Sequence, residues 1–374
     1  MIPINRPDIG QEEADAVLKV LKSGVITDKS GAGPRATELE ANFARYVGAK
    51  HAIAVTSGTA ALHAALLAAG AKTGDEVVIP AFTFHATAEA VRLTGATPTF
   101  ADINPTTYTV TAETVKAAIT SRTKAIMPVH LYGMPADLSE LQELAREHGL
   151  VLVEDAAQAH GAEYKGSMIG SIGDMTCFSF YASKNMTTGE GGLVTTNHDE
   201  YAEQLRMLRT HGEQRPYWPV AIGNNYHLDE MRAALGCVQL KRLPGFLQKR
   251  RGNAKLLTSR LATLNRIDCP QEPADRKSAW NLYTIRLRSR SVQERNALVT
   301  KLHEAGVGAA TYYEAPIHKM PIYLQTPQPR LPETDRACDQ VFSIPVHQNV
   351  SQQELELEVR EIERALSANP KAAS

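Results

Sequence analysis

Cysteine is scarce in this chain of 374 residues, and the four present, Cys177, Cys237, Cys269 and Cys338, are scattered with no C-x-x-C pair. That spacing excludes a disulfide framework and a zinc ribbon, and it fits thiols kept reduced in a cytoplasm. None of the 12 histidines belongs to an H-E-x-x-H pair, so the commonest zinc hydrolase signature is missing and no metal is expected. No stretch approaches the roughly 20 apolar residues that span a bilayer. The opening Met1-Ile2-Pro3-Ile4-Asn5-Arg6-Pro7 lacks the apolar core of a secretory signal, which again points to the cytoplasm. An excess of one charge is absent too: 40 basic and 41 acidic residues leave a net charge of −1, which argues against a general affinity for nucleic acid or membrane surfaces.

What is present is an alternation. From residue 51 onward, short apolar runs (53–55, 77–79, 97–101, 125–129, 151–153, 176–181 and 193–195) are separated by helical patterns over 59–69, 85–94, 111–120 and 138–148. Strands alternating with helices imply a parallel sheet covered on both faces. Two amphipathic helices precede it, around Ala14–Leu21 and Ala36–Tyr46, joined by a loop from Gly24 to Pro34. A long helical pattern covers 227–263 and carries Lys249-Arg250-Arg251, a run more often a solvated face than a nucleic-acid site. Beyond it, a strand at 282–287 and helices at 292–305 and 351–366 make a smaller α+β unit. The expected division is therefore residues 1–245 and 246–374, with the tail Ala368–Ser374 expected to be disordered.

Four local features carry chemistry. The apolar run ending Phe178-Ser179-Phe180-Tyr181-Ala182-Ser183 delivers Lys184 into a Thr- and Gly-rich turn, Asn185–Gly192. A lysine at the end of a core strand is paired, covalently used, or snorkelling to solvent. At Thr56-Ser57-Gly58-Thr59 a strand gives way to a helix whose free N–H groups suit a phosphate, although simple N-capping has the same look. Phe82, in Pro80-Ala81-Phe82-Thr83-Phe84-His85, stands where an open α/β sheet places ligands and is either a stacking aromatic or ordinary core. The apolar strand Val151–Val153 ends in Glu154-Asp155, with Gln158 and His160 following; Asp155 either caps a helix or meets a cation. Together, a phosphate cradle, an aromatic, a buried carboxylate and a strand-end lysine are the parts that hold pyridoxal 5′-phosphate.

With these residues in place, the chain resembles the DegT/DnrJ/EryC1/StrS family of sugar aminotransferases, of the fold-type I group of pyridoxal phosphate enzymes. The likeness runs through Ser57-Gly58-Thr59, Gly74-Asp75-Glu76-Val77, Val129-His130-Leu131-Tyr132-Gly133, Glu154-Asp155-Ala156-Ala157-Gln158, the Lys184 stretch and Gly223-Asn224-Asn225-Tyr226-His227. The resemblance implies an α/β fold with a large, mainly parallel sheet domain and a smaller α+β C-terminal domain. It implies that Lys184 is the Schiff-base lysine and proton carrier, Asp155 the acid on the pyridine nitrogen, Gln158 the group near the ring's phenolic oxygen and Phe82 the stacking aromatic. By the same resemblance Gly58, Thr59 and Ser179 bind the phosphate, Asn225 reaches it from the neighbouring subunit of a homodimer, and His318 touches substrate. His160 is either beside the ring or a satisfied core residue.

The resemblance further implies a transaminase that moves an amino group from an amino acid, L-glutamate, to a nucleotide-linked keto-sugar. A related dehydrating branch has histidine where this chain has Lys184, which favours transamination. Glu190 in Thr188-Gly189-Glu190-Gly191-Gly192 matches members acting on 4-keto sugars, whereas those acting on 3-keto sugars carry aspartate there. A 4-keto-6-deoxyhexose is therefore the expected acceptor. His227 replaces the arginine common in the family, and sugar contacts are expected from loops near 24–31, 181–190 and 311–320. A sugar dehydratase or deoxygenase, a 3-keto-sugar aminotransferase and a non-catalytic cofactor-binding regulator remain the alternatives; a regulator would bring a DNA-binding segment, and none is visible.

Overall fold

The computed structural model describes residues 1–27, 32–289 and 291–367, and its centre is a seven-stranded sheet. Its strands are β1 (His51–Val55), β2 (Glu76–Pro80), β3 (Thr97–Ala101), β4 (Thr123–Ile126), β5 (Val151–Asp155), β6 (Met175–Ser179) and β7 (Gly192–Thr196), in the order β1-β7-β6-β5-β4-β2-β3. All run parallel except β7, which is antiparallel to both neighbours. The reason lies in its connection. Residues 180–191 join β6 to β7 without a helix, and a parallel return needs a crossover of a dozen or more residues, usually helical. The strand alternation expected from the sequence is therefore met, with one reversed strand in a mainly parallel sheet.

Period-two burial sends alternate side chains to opposite faces. Ala52, Ala54, Leu152 and Phe178 pack beneath α2 (Pro34–Val47), α6 (Leu138–His148) and α8 (Glu230–Leu261). Ile53, Val55, Val153 and Cys177 pack against α3 (Gly58–Ala68), α4 (Ala86–Leu93) and α7 (Asp199–Arg209). The helix expected over 111–120 forms only as α5 (Ala112–Lys116), capped by Thr111. Helix α7 was not anticipated; its sequence Asp199–Arg209 is dominated by charged residues and buries only Ala202, Leu205 and Arg209.

The C-terminal part pairs short strand β8 (Ile267–Asp268) with β9 (Tyr283–Leu287) and β10 (Val341–Ile344), all antiparallel, under α9 (Val292–Glu304) and α11 (Gln352–Ser367). Helix α10 (Pro332–Gln340) leads directly into β10, and neither was read from the sequence. The division expected at 245 and 246 falls inside α8, and the first residues join the C-terminal part: Ile2 N–H donates to Gly306 O at 2.7 Å, and the Ile2 side chain lies in the same apolar cluster as Tyr283, Leu302 and Phe342. The tail 368–374, expected to be disordered, lies outside the described residues, as do 28–31 of the first loop.

Helix α1 (Gln11–Ser23) is held to α8 by charge: Glu13 Oε1 accepts from Arg242 at 2.6 Å and Gln239 at 2.8 Å, and Arg242 also bonds Asp8 at 2.6 Å. Helix α2 is held by Glu230. This buried carboxylate accepts from Arg35 N–H at 2.6 Å and Ala36 N–H at 3.0 Å, satisfying two of the donors a helix start leaves open. Gly33 allows the approach, since a Cβ there would lie 2.6 Å from the Glu230 carboxyl carbon. Glu230→Ala is expected to lose roughly 2–3 kcal/mol by leaving these amides unpaired. Urea unfolding at unchanged slope, with faster hydrogen exchange at Arg35 and Ala36, is the check; a loss below about 0.5 kcal/mol would refute the capping role.

Candidate functional site

Sheet register brings the expected residues together. Val55 pairs with Gly192 across β1 and β7, and Gly192 pairs with Ser179 across β7 and β6. Asp155 pairs with Cys177, two residues before Ser179. The ends of β1, β5 and β6 and the start of β7 therefore form one edge of the sheet, where open α/β sheets place ligands. Closeness demands glycine: a Cβ on Gly192 would overlap the Ser57 carbonyl, and one on Gly58 would lie 2.7 Å from Ser179 Cβ. At this edge α3 begins. Ser57 Oγ accepts from Ala60 N–H at 3.1 Å, so the N–H groups of Gly58 and Thr59 remain to face an anion beside the Ser179 hydroxyl.

Lys184 sits in the β6–β7 connection, a tightly bonded loop. Phe180 N–H donates to Gly191 O at 2.8 Å, Thr188 N–H to Phe180 O at 3.0 Å, and Lys184 N–H to Tyr181 O at 2.9 Å. Asn185 Nδ2 donates to Ala279 O at 2.7 Å, which anchors the loop from outside. Burial brings the Lys184 amine down to about 8, against the upward pull of the Asp155 charge. The lysine is half-buried with its amine enclosed, and it makes no ion pair among the described residues.

Asp155 is buried, and its partners are neutral: Thr87 Oγ1 donates to Oδ2 at 2.9 Å and Ala157 N–H to Oδ1 at 3.1 Å. Burial raises its pKa, with the Ala157 N–H, the Thr87 hydroxyl and Lys184 acting in the other direction. A carboxylate so placed gains from a cation brought into the site. Its neighbour Glu154 points to the opposite face and is fully satisfied, accepting from Gly173 N–H at 2.6 Å, Thr176 Oγ1 at 2.9 Å and His130 Nε2 at 2.8 Å. Since Ala136 N–H donates to His130 Nδ1 at 3.0 Å, the His130 proton must sit on Nε2. This pair fixes the strand end from below.

Gln158 lies beside Asp155, its Oε1 accepting from Tyr132 N–H at 2.6 Å. His160 is in the core: its ring lies 5.4 Å from that of Phe178 and 5.8 Å from that of Phe180, and burial followed by the Lys184 charge holds its pKa down to about 3. Phe82 has taken the core role that the sequence left open. It is 1% exposed, with Tyr108, Tyr132 and Tyr313 tilted or edge-on around it at 6.1, 6.4 and 6.1 Å, which is the packing of a core ring and not that of the stacking aromatic the resemblance implied. Phe84, two residues on, is 48% exposed and lies 6.2 Å from Tyr313.

Two other expected residues contact different neighbours. His318 is enclosed in the turn Ile317–Lys319, its ring 5.8 Å from Phe100 and its Nδ1 unpartnered. Asn225 is exposed and bridges Thr210 through its backbone. Two residues that the sequence reading missed do join the site, Thr87 and Tyr313. Thr87 lies in the first turn of α4, and its hydroxyl is 3.1 Å from that of Thr83, which precedes the helix. Tyr313 was not singled out, although its loop, 311–320, was expected to reach the site; it arrives from the C-terminal part, within 3.4 Å of Gln158 Nε2.

The sequence model of the DegT/DnrJ/EryC1/StrS aminotransferase family matches residues 7–362. GDP-perosamine synthase of Caulobacter vibrioides is 37% identical over 98% of both chains. The dTDP-3-amino-3,4,6-trideoxy-alpha-D-glucose transaminase of Streptomyces venezuelae is 40% identical, over 91% of this chain and 88% of its own. The PLP-form of a putative sugar aminotransferase, Spr1654 of Streptococcus pneumoniae, superposes with a TM-score of 0.92 at 30% identity over 98% of both chains.

The depressed amine gives a pH prediction. In cofactor-free protein, reductive alkylation of Lys184 by a small aldehyde, followed by peptide mass spectrometry, should be half-maximal near pH 8, about two units below ordinary lysines. Because the folded pKa lies below the unfolded one, the unfolded chain binds more protons between the two values, and the Lys184 contribution to stability rises with pH through that window. Alkylation following the other lysines would contradict the burial argument.

Proposed function

The chain belongs to the DegT/DnrJ/EryC1/StrS aminotransferase family, and we propose that it transfers the amino group of L-glutamate to a nucleotide-linked 4-keto-6-deoxyhexose. It is a pyridoxal phosphate-dependent sugar transaminase. The observation that carries the residue assignment is the pairing of a buried Asp155, bonded only by neutral donors, with a buried amine lowered to about 8. The cofactor fits both the carboxylate that lacks a cation and the cradle that a Cβ on Gly58 would fill.

When bound, pyridoxal phosphate supplies an electron sink through which an amino group passes between two carbon skeletons. Asp155 keeps the pyridine nitrogen protonated, since a cation there relieves its own burial. Gly58 and Thr59 N–H and the Ser179 hydroxyl receive the phosphate. Lys184 would hold the cofactor through Nζ, and an amine lowered to about 8 is suited to take up and return a proton there. Gln158 Nε2 would donate to the ring's phenolic oxygen, and Phe84, more exposed than Phe82, would be the aromatic that lies against the ring. Asn225, exposed in its own chain, would complete the phosphate site of a second copy in a homodimer. His318, enclosed against Phe100, is assigned no sugar contact. The four cysteines are free, which fits a cytoplasmic enzyme.

Glu190, exposed on the Lys184 loop, is the residue that favours a 4-keto acceptor. A 3-keto acceptor is the second reading, favoured by the relative named for a 3-amino sugar at 40% identity. Mass spectrometry of products from dTDP-, GDP- and UDP-linked 3-keto and 4-keto sugars with glutamate separates the two, and amination of only 3-keto sugars would reject the first. Lys184→Ala should abolish turnover and remove the absorbance of the lysine-linked cofactor. Near wild-type turnover in that variant would overturn the assignment.

A further inference from the structure

We propose that Tyr313 is a positioning residue which, together with Tyr132, clamps the Gln158 amide in one orientation before the cofactor arrives. The inference rests on the reading that Gln158 meets the ring's phenolic oxygen. It starts from a donor that cannot reverse its role. Tyr132 N–H lies 2.6 Å from Gln158, and a backbone N–H only donates, so the amide oxygen must face it and Nε2 must face the other way. Of the two hydrogens on Nε2, one reaches the Tyr313 hydroxyl at 3.4 Å. No other acceptor among the described residues takes the second, which is left for an oxygen in the site.

The contacts close into a ring. Tyr132 holds Gln158 Oε1 through its backbone, while its own hydroxyl donates to the carbonyl of Tyr312. The next residue, Tyr313, receives Gln158 Nε2. Residues 132 and 158 thus meet a segment that follows α9, and the amide is gripped from both parts of the chain. The Tyr132 turn is itself immobilised. Tyr132 has φ 60° and Gly133 φ 97°, Asn281 N–H donates to Tyr132 O at 2.9 Å, Ala279 N–H donates to Gly133 O at 2.9 Å, and a Cβ on Gly133 would lie 2.9 Å from Trp280 N. Tyr313 packs its ring between Phe82 and Phe84, at 6.1 and 6.2 Å, and burial keeps its hydroxyl neutral, able to accept from Gln158. A donor aimed in advance costs no reorganisation when charge develops on its acceptor.

The test uses holoenzyme and reads the pH midpoint of the bound cofactor's visible absorbance in Tyr313→Phe, Gln158→Leu and the double variant, with thermal unfolding as a check that each is folded. Losing a donor makes the phenolic oxygen more basic, so it keeps its shared proton to higher pH. Gln158→Leu should raise the midpoint, Tyr313→Phe should raise it by about half a pH unit, and the double variant should match Gln158→Leu alone. Tyr132→Phe opens the ring from the other side and should shift the midpoint in the same direction. If Tyr313→Phe leaves the midpoint where it was, or adds in full to Gln158→Leu, the clamp is wrong while the role of Gln158 stands. If Gln158→Leu moves nothing, that role falls and the clamp falls with it.

Discussion

The contact of Gly192 with the Ser57 carbonyl is the constraint on which the site depends. Where β7 turns back between β1 and β6, its first residue has no room for a side chain, because the start of α3 lies directly on it. Any Cβ there would push α3 away from Ser179, and with it the free N–H groups of Gly58 and Thr59. The reversal of β7 also decides what the β6–β7 connection can be. A strand returning immediately beside its predecessor needs only a loop, and that loop carries Lys184 across the end of β6, opposite the end of β5 where Asp155 stands. One steric requirement at a single glycine thus ties an anion cradle, an amine and a carboxylate to the same sheet edge.

Much of the site was legible in the sequence because each part is a local anomaly. A lysine after an apolar run, a carboxylate ending an all-apolar strand and Ser-Gly-Thr opening a helix are departures from pattern that can be read without knowing what lies opposite. The fold was legible for the same reason, since the strand and helix rhythm from residue 51 onward is strong. The reversed β7 left a trace as well: residues 180–191 offer no helical pattern with which to cross over.

What was not legible depends on partners distant in sequence. Phe82 and Phe84 differ only in which way each ring points, and beyond the last residue of β2 no strand period fixes that direction. The aromatic neighbours of Phe82 decide it, and they come from residues 108, 132 and 313. Within the loop 311–320, which was expected near the site, Tyr313 could not be singled out for the same reason, because its hydroxyl acquires meaning only from Gln158, 155 positions earlier. Ile2 packs with Val307 and Phe342, so no inspection of the first residues could assign them to the C-terminal cluster. Helices α7 and α10 were missed for a different cause: their sequences are rich in polar residues, and tertiary packing supplies what periodicity lacks, while β10 is fully buried but only four residues long.

Asp155 and Lys184 show why such a site is built at a core edge rather than in open solvent. Burial moves the two groups toward one another, raising the acid and lowering the amine, while the charge of each resists the shift of the other. In water the attraction would be screened and both would keep their ordinary protonation. Here neither has its best partner, since the carboxylate is bonded by a hydroxyl and an amide and the amine by no counter-ion in contact. The neighbouring Glu154, equally buried, shows that the fold could have satisfied Asp155 in full: three donors reach that carboxylate from residues 130, 173 and 176. Two adjacent acids on one strand, one saturated and the other under-served, separate the structural role from the binding role by the side of the sheet each faces. What is left unmet at Asp155 is an electrostatic need that a cation brought to this edge of the sheet would relieve.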